Sequence, residues 1–211
     1  AGAMLCRSFF FLMLRRPPRS TLVPSTTLFR AEASLQIADP QVRNLGTMGG
    51  NVANGDPGND MPAIMQALDA TYVLVGPDGE RQVAARNFYE AAYFTARKDD
   101  EILTAIRLDA PGAGHGSAYL KQKRKIGDYA TAAAAVILEM SGSECASASV
   151  ALTNVADTPL WAEEASAILV GPSLDDDTVR RAAEAAKAIT DPATDARGPK
   201  ELRTPIPRCR V

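Results

Sequence analysis

Cysteine is scarce in this sequence: Cys6, Cys145 and Cys209 are the only three in 211 residues, and no two of them form a C-x-x-C pair. That spacing argues against a structural zinc or an iron–sulfur cluster held by this chain, and isolated thiols fit a reducing compartment, the cytoplasm. Histidine is scarcer still. His115 stands alone in Gly112-Ala113-Gly114-His115-Gly116 and reads as a loop residue rather than a catalytic base. Without a Ser/His/Asp set or a metal-ligand cluster, the chain lacks the parts for nucleophilic or metal-assisted hydrolysis. Neither sign of charge dominates, since 23 basic and 25 acidic residues leave a net charge of −2. Nucleic acid and membrane surfaces are therefore disfavoured as partners. Long apolar runs are missing too. Phe9 to Leu14 is too short to span a bilayer, so no transmembrane segment is expected, and it precedes Arg15-Arg16, the reverse of a secretory signal. Residues 1–30 read as a non-native, adapter-like segment outside the fold. Finally, no G-x-G-x-x-G lies between a strand and a helix, which disfavours a nicotinamide-binding Rossmann domain.

What is present is enough for a core. Hydrophobic residues make up 46% of the chain, which can hold one large domain or two small ones. The densest signal runs from Arg43 to Ala63, with five glycines among Asn and Asp residues, and leads directly into an apolar helical pattern. Glycine lets a backbone approach a ligand where any side chain would block it. Consecutive N–H groups in such a turn can form a nest for an anion such as a diphosphate. Asn and Asp can read the hydroxyls of a polyol chain. The same residues are also ordinary turn formers, so composition alone leaves a plain surface loop open.

The arrangement Thr47-x-Gly49-Gly50-Asn51, then Asp56-Pro57, then Asp60-x-Pro62-Ala63 resembles the second flavin-binding segment of the FAD-binding medium subunits of the xanthine dehydrogenase, or molybdenum hydroxylase, family. The stretch Asn54 to Pro62 is most similar to the carbon monoxide dehydrogenase branch. The resemblance implies an α+β fold. Residues 31–110 would be the C-terminal part of an FAD-binding PCMH-type domain. Residues 117–198 would be a C-terminal flavoprotein domain with a three-stranded antiparallel sheet and helices, and 199–211 depart from the pattern. It also implies FAD as cofactor and two partners, a molybdenum-containing large subunit and a small subunit carrying [2Fe–2S] clusters. Electrons would pass from those clusters through FAD to an external acceptor, with no catalytic acid, base or nucleophile on this chain. Backbone N–H groups around Thr47, Gly49 and Gly50 would hold the diphosphate, with the Thr47 hydroxyl as a further donor. Asn51 and Asn54 would donate to phosphate or ribityl oxygens, and Asp60 would accept from a ribityl hydroxyl. On this reading Asp60→Ala lowers FAD occupancy and leaves the fold intact. Leu103 lies where the family's backbone passes near the flavin ring, and Tyr129 stands where an aromatic residue can cover the isoalloxazine face. Core packing is the alternative for both. Two other readings stay open: a relative that oxidises an aromatic or purine ring, and a truncated fragment unable to bind FAD. The second arises because nothing before Glu32 matches the family's earlier Ala-Gly-Gly segment.

The remaining pattern gives the elements. Asn59 is expected to cap a helix from Asp60 to Leu68, and Ala70–Val75 and Arg81–Ala85 to form a hairpin. Asn87-Phe88-Tyr89 would open a short helix, and Glu101–Leu108 is a strand. After a linker at 111–116, Ser117–Lys125 reads as a strand with one wet, basic face. Ala133–Met140 and Ser147–Asn154 read as paired strands, and Trp161–Leu169 and Thr178–Ile189 as helices.

Overall fold

The computed structural model describes residues 25–109, 114–171, 174–194 and 200. Cys6, Cys209, most of the adapter-like segment, the start of the 111–116 linker and all of the tail except Lys200 lie outside the described residues. The first lobe opens with four helices: α1 (Ser25–Ser34), α2 (Pro40–Leu45), α3 (Met48–Ala53) and α4 (Asp60–Ala67). An antiparallel sheet in the order β2-β1-β5 follows, built from β1 (Thr71–Gly76), β2 (Gly79–Ala84) and β5 (Ile102–Arg107). Between β2 and β5 sits a small hairpin, β3 (Tyr89–Ala91) and β4 (Phe94–Thr95). Residues 25–30 are not outside the fold. They form the first half of α1, and Phe29 is buried in the core of this lobe beside Met48, Val52, Met61 and Ile64.

The second lobe is a sheet in the order β6-β7-β8-β9 with two helices on its outer face. Its elements are β6 (His115–Gln122), β7 (Ala132–Ser141), β8 (Glu144–Thr153), β9 (Leu160–Trp161), α5 (Glu163–Leu169) and α6 (Asp176–Ala188). The three expected long strands are all there, and a two-residue fourth strand extends the sheet. That strand starts where a helix was expected. Trp161 pairs with Ala151, and α5 begins two residues later at Glu163-Glu164, where carboxylates favour a helix N-terminus. His115 is likewise the first residue of β6, opposite Glu139, and not in a loop. Asn87 closes a single 3₁₀ turn and Tyr89 enters β3, so no helix opens there.

Period-2 alternation in β7 explains how the lobes join. Ala133, Ala135 and Ile137 face the first-lobe core, whereas Ala132, Ala134, Val136 and Leu138 face α5 and α6. Alanine on the inner face lets α4 approach the sheet closely, so α4 packs on β7, β8 and β9 and the two lobes share one core. The far end of α4 is tied as well. Arg86 lies 3.8 Å over the Trp161 ring and donates to the Gln66 carbonyl at 3.2 Å, and Gln66 Nε2 donates to the Pro159 carbonyl at 3.1 Å. In α6, Asp175 accepts from Thr178 N at 2.8 Å and Ala182 and Ala186 are buried, as the helical pattern required.

Candidate cofactor site

The glycine-rich stretch is more ordered than a loop. Thr47 is extended and caps α3, its Oγ1 accepting from Gly50 N at 3.0 Å, and the first helical bond runs from Asn51 N to the Thr47 carbonyl. The N–H groups of Met48 and Gly49 precede that bond and so have no acceptor within the helix. A Cβ on Gly50 would stand 3.0 Å from Thr47 Oγ1, and one on Gly49 would stand 3.6 Å from Leu103 Cδ2. Thr47, Gly49, Gly50 and Leu103 are thus brought together, with Leu103 on β5 forming an apolar floor under the turn.

The two asparagines nearby divide their work differently from the sequence expectation. Asn59 makes no side-chain cap to α4; its Nδ2 donates to the Asn51 carbonyl at 2.9 Å. Asn51 supplies the cap instead, its Oδ1 accepting from Met61 N at 3.3 Å. The acceptor end of Asn51 therefore ties α3 to α4. Asn54 is exposed at the C-terminus of α3. Beyond it, Gly55 adopts φ 67°, where a Cβ would come within 3.0 Å of Thr95 Cγ2. Asp56 fixes this corner, accepting from Gly58 N at 2.8 Å and from the Tyr93 hydroxyl at 3.1 Å.

Asp60 is the largest departure. It is only 3% exposed, and its carboxylate binds across the lobe boundary to residues of β6. The Tyr119 hydroxyl donates to Oδ1, and Lys121 Nζ lies 2.8 Å from Oδ2. The Lys121 side chain is only 1% exposed, and its Nζ also donates to the Gln36 carbonyl at 3.1 Å. Burial pushes the Asp60 carboxyl upward, against the charge of Lys121 and the bonds from Lys121 and Tyr119, which lower it. Burial also drives the Tyr119 phenol well above its usual range, and the Asp60 charge adds to that. The expectation that Asp60→Ala leaves the fold intact is corrected here. Removing the carboxylate strands a buried ammonium, which is strongly destabilising. A ribityl hydroxyl reaching Asp60 would share oxygens already engaged, using their second lone-pair directions.

Lys121 and Tyr119 are the residues that sequence reasoning missed. The basic run Lys121–Lys125 reads as solvated strand surface, yet Lys121 points inward. The available signal was that Tyr119 and Lys121, two apart on a strand, share a face. Tyr129 is 45% exposed on the connection between β6 and β7. Gly127 on the same connection rests against Ala38 and Asp39, at the start of the helix that leads into Thr47. Within the loop before β5, Glu101 is held by Arg81 at 2.6 Å, with Lys98 N also donating to it. Those bonds bring its carboxyl down to about 2, so it stays ionised and pins the residue preceding Ile102 and Leu103.

A capped glycine turn whose first two N–H groups lack an acceptor within the helix, with an apolar side chain beside it, suits a diphosphate and, beyond a ribityl chain, a flat ring system. The fold and the turn together define a flavoprotein unit. Residues 15–111 match the model of the FAD-binding domain in molybdopterin dehydrogenases, and residues 117–207 match the carbon monoxide dehydrogenase flavoprotein C-terminal domain. The carbon monoxide dehydrogenase medium chain of Afipia carboxidovorans is 64% identical over 173 residues, covering 82% of this chain and 60% of that protein. The medium chain of Hydrogenophaga pseudoflava is 45% identical, covering 88% and 64%. Among solved structures, the cyanide-inactivated Cu,Mo-CO dehydrogenase superposes with a TM-score of 0.83 at 62% identity, covering 85% of this chain and 63% of that one. Quinoline 2-oxidoreductase from Pseudomonas putida 86 gives 0.79 at 32% identity. The chain belongs to the family of FAD-binding medium subunits of molybdenum hydroxylases, in its carbon monoxide dehydrogenase branch. It spans about three fifths of the length of these first relatives.

Proposed function

We propose that this chain binds FAD and serves as the electron-transfer subunit of a molybdenum hydroxylase of the carbon monoxide dehydrogenase type. The observation that carries this reading is the Thr47-capped turn, with its two glycines and its Leu103 floor, in a chain 64% identical to a carbon monoxide dehydrogenase medium chain. Met48 and Gly49 offer backbone N–H groups to the diphosphate, and the Thr47 hydroxyl, while accepting from Gly50, keeps its own proton to donate. Asn51 and Asn54 border the turn on the sugar side. Asp60 acts first as the buried partner of Lys121, holding α4 and hence Asn51 in place. Tyr129, exposed on the β6–β7 connection, covers the flat ring.

FAD, when bound, supplies the redox chemistry, accepting electrons from iron–sulfur clusters and yielding them to an external acceptor. The protein binds, orients and shields it. A molybdenum-containing large subunit and a [2Fe–2S] small subunit are the partners in this reading. The cytoplasm is the compartment, in keeping with the buried free thiol of Cys145. No described helix is long and apolar enough to cross a membrane. A second reading keeps FAD but changes the substrate of the whole enzyme. It is favoured by likeness to the nicotine 6-hydroxylase medium subunit of Paenarthrobacter nicotinovorans, 30% identical over 173 residues. A flavin subunit set apart from the oxidised substrate would serve either enzyme.

The test is the visible spectrum of the purified chain after incubation with FAD and removal of free cofactor. Retained flavin bands, near one FAD per chain, are the expected outcome. A colourless protein that is folded by circular dichroism would overturn FAD binding by this chain.

A further inference from the structure

Strands β1 and β5 fall out of step between Val73 and Leu74. Tyr72 faces Ile106 and Val73 faces Ala105, but Leu74 faces Leu103 and Val75 faces Ile102. Two residues of β5, Ala105 and Thr104, therefore stand against one residue of β1, which makes Thr104 the extra residue of a β-bulge. Strict alternation from Leu108 and Ile106 would turn Thr104 toward the core and Leu103 away from it. The bulge reverses this parity. Leu103 packs on the first-lobe core together with Ile106 and Leu108, opposite the fully buried Leu74, while Ile102 is left exposed. Thr104 Oγ1 donates to the Val73 carbonyl at 3.3 Å, bonding the two strands at the break itself. Leu103, so turned, is the side chain beneath Gly49. Bulges recur next to functional sites because they re-aim a side chain without ending the sheet.

We propose that Thr104 is a positioning residue for the cofactor turn: its bulge and its bond to Val73 aim Leu103 under Gly49 and so set the height and tilt of the first turn of α3. The inference rests on the FAD reading above. It adds a residue on β5, outside the turn itself, that no glycine or asparagine motif contains.

The experiment is an FAD titration of the full chain, followed by flavin fluorescence quenching, with thermal midpoints measured on the cofactor-free proteins. Wild type is titrated first. Thr104→Val keeps the volume and β-branching but removes the hydroxyl, and Thr104→Ser keeps the hydroxyl. Thr104→Val is expected to weaken FAD binding about fivefold, the worth of one net hydrogen bond. Thr104→Ser should stay within about twofold of wild type, with midpoints of both within about 4 °C. Equal binding by Thr104→Val and wild type, or equal weakening by both substitutions, overturns the proposal. If Thr104→Val does not fold, Thr104→Ala is the arm to read. It removes the same hydroxyl and its bond to the Val73 carbonyl without adding a methyl, so weakened FAD binding supports the inference and binding within about twofold of wild type overturns it. No binding by folded wild type overturns the FAD reading and this inference with it, whereas tight wild-type binding with indifferent variants overturns this inference alone.

Discussion

Lys121→Met lowers the thermal midpoint by about 6–20 °C at neutral pH, and part of that loss returns on acidification. Breaking a buried pair by removing one partner costs about 3–5 kcal/mol, because the other charge stays buried without compensation. In a chain of this size each kcal/mol moves the midpoint by about 2–4 °C. The charge left behind is Asp60, 3% exposed, whose carboxyl is already raised by burial and is held down chiefly by Lys121. Without Lys121 the upward shift grows. A carboxyl raised in the folded state contributes its full stability below its unfolded value, and that contribution is lost as pH rises through the folded value. The gap between variant and wild type is therefore widest near pH 7.5 and narrows toward pH 5. Thermal melts of both proteins across that range check it. A midpoint unchanged at pH 7.5, or a gap that widens on acidification, would show that this pair does not clamp the lobes.

Gly50→Val weakens FAD binding by roughly ten- to a hundredfold while leaving the fold in place. A Cβ at this position would stand 3.0 Å from Thr47 Oγ1, so the hydroxyl must give way by a few tenths of an ångström, and the branched methyls of valine add to the crowding on the bond from Gly50 N. Loss of an N-cap costs about 1 kcal/mol, which a fold of this size survives. The N–H groups of Met48 and Gly49 then lose the geometry that points them at one anion. Charge-assisted bonds to a phosphate are worth about 1.5–3 kcal/mol each, which sets the expected loss in affinity. Titration with FAD, alongside a thermal melt of the cofactor-free variant, separates the two effects. An unfolded variant would mean that Gly50 serves packing, and unchanged affinity would mean that the diphosphate lies elsewhere.

The parts of this fold with strong periodicity could be read directly from the residues. Met61, Ile64, Met65 and Leu68 mark α4, and the β-branched and aromatic run Thr71–Val75 marks β1, whereas the uniformly apolar run Ala132–Leu138 marks β7 as a strand without showing which face is which. Helix α3 could not be seen, because half of Met48–Ala53 is Gly or Asn, poor helix formers that only a cap and packing on α4 and β5 hold in place. The exchange by which Asn51 caps α4 while Asn59 ties back to Asn51 is a tertiary choice between two equivalent amides. The Asp60–Lys121 pair joins residues 61 apart, which no local pattern carries. The same holds for the bulge at Thr104, since a strand reads the same with or without one extra residue. At the site, the residue types were legible and their partners were not. Gly50 lies against Thr47 and Gly49 over Leu103, contacts that no local pattern announces, while Asp60 is engaged across the lobe boundary.

In the proposed function the turn at Thr47–Gly50 holds the diphosphate of FAD. Comparing the affinities of the full chain for FAD and for riboflavin tests it most directly, because riboflavin keeps the ring and the ribityl chain but has no phosphate. FAD is expected to bind at least about a hundredfold more tightly, the worth of the phosphate contacts alone. Equal affinities for the two ligands would contradict it.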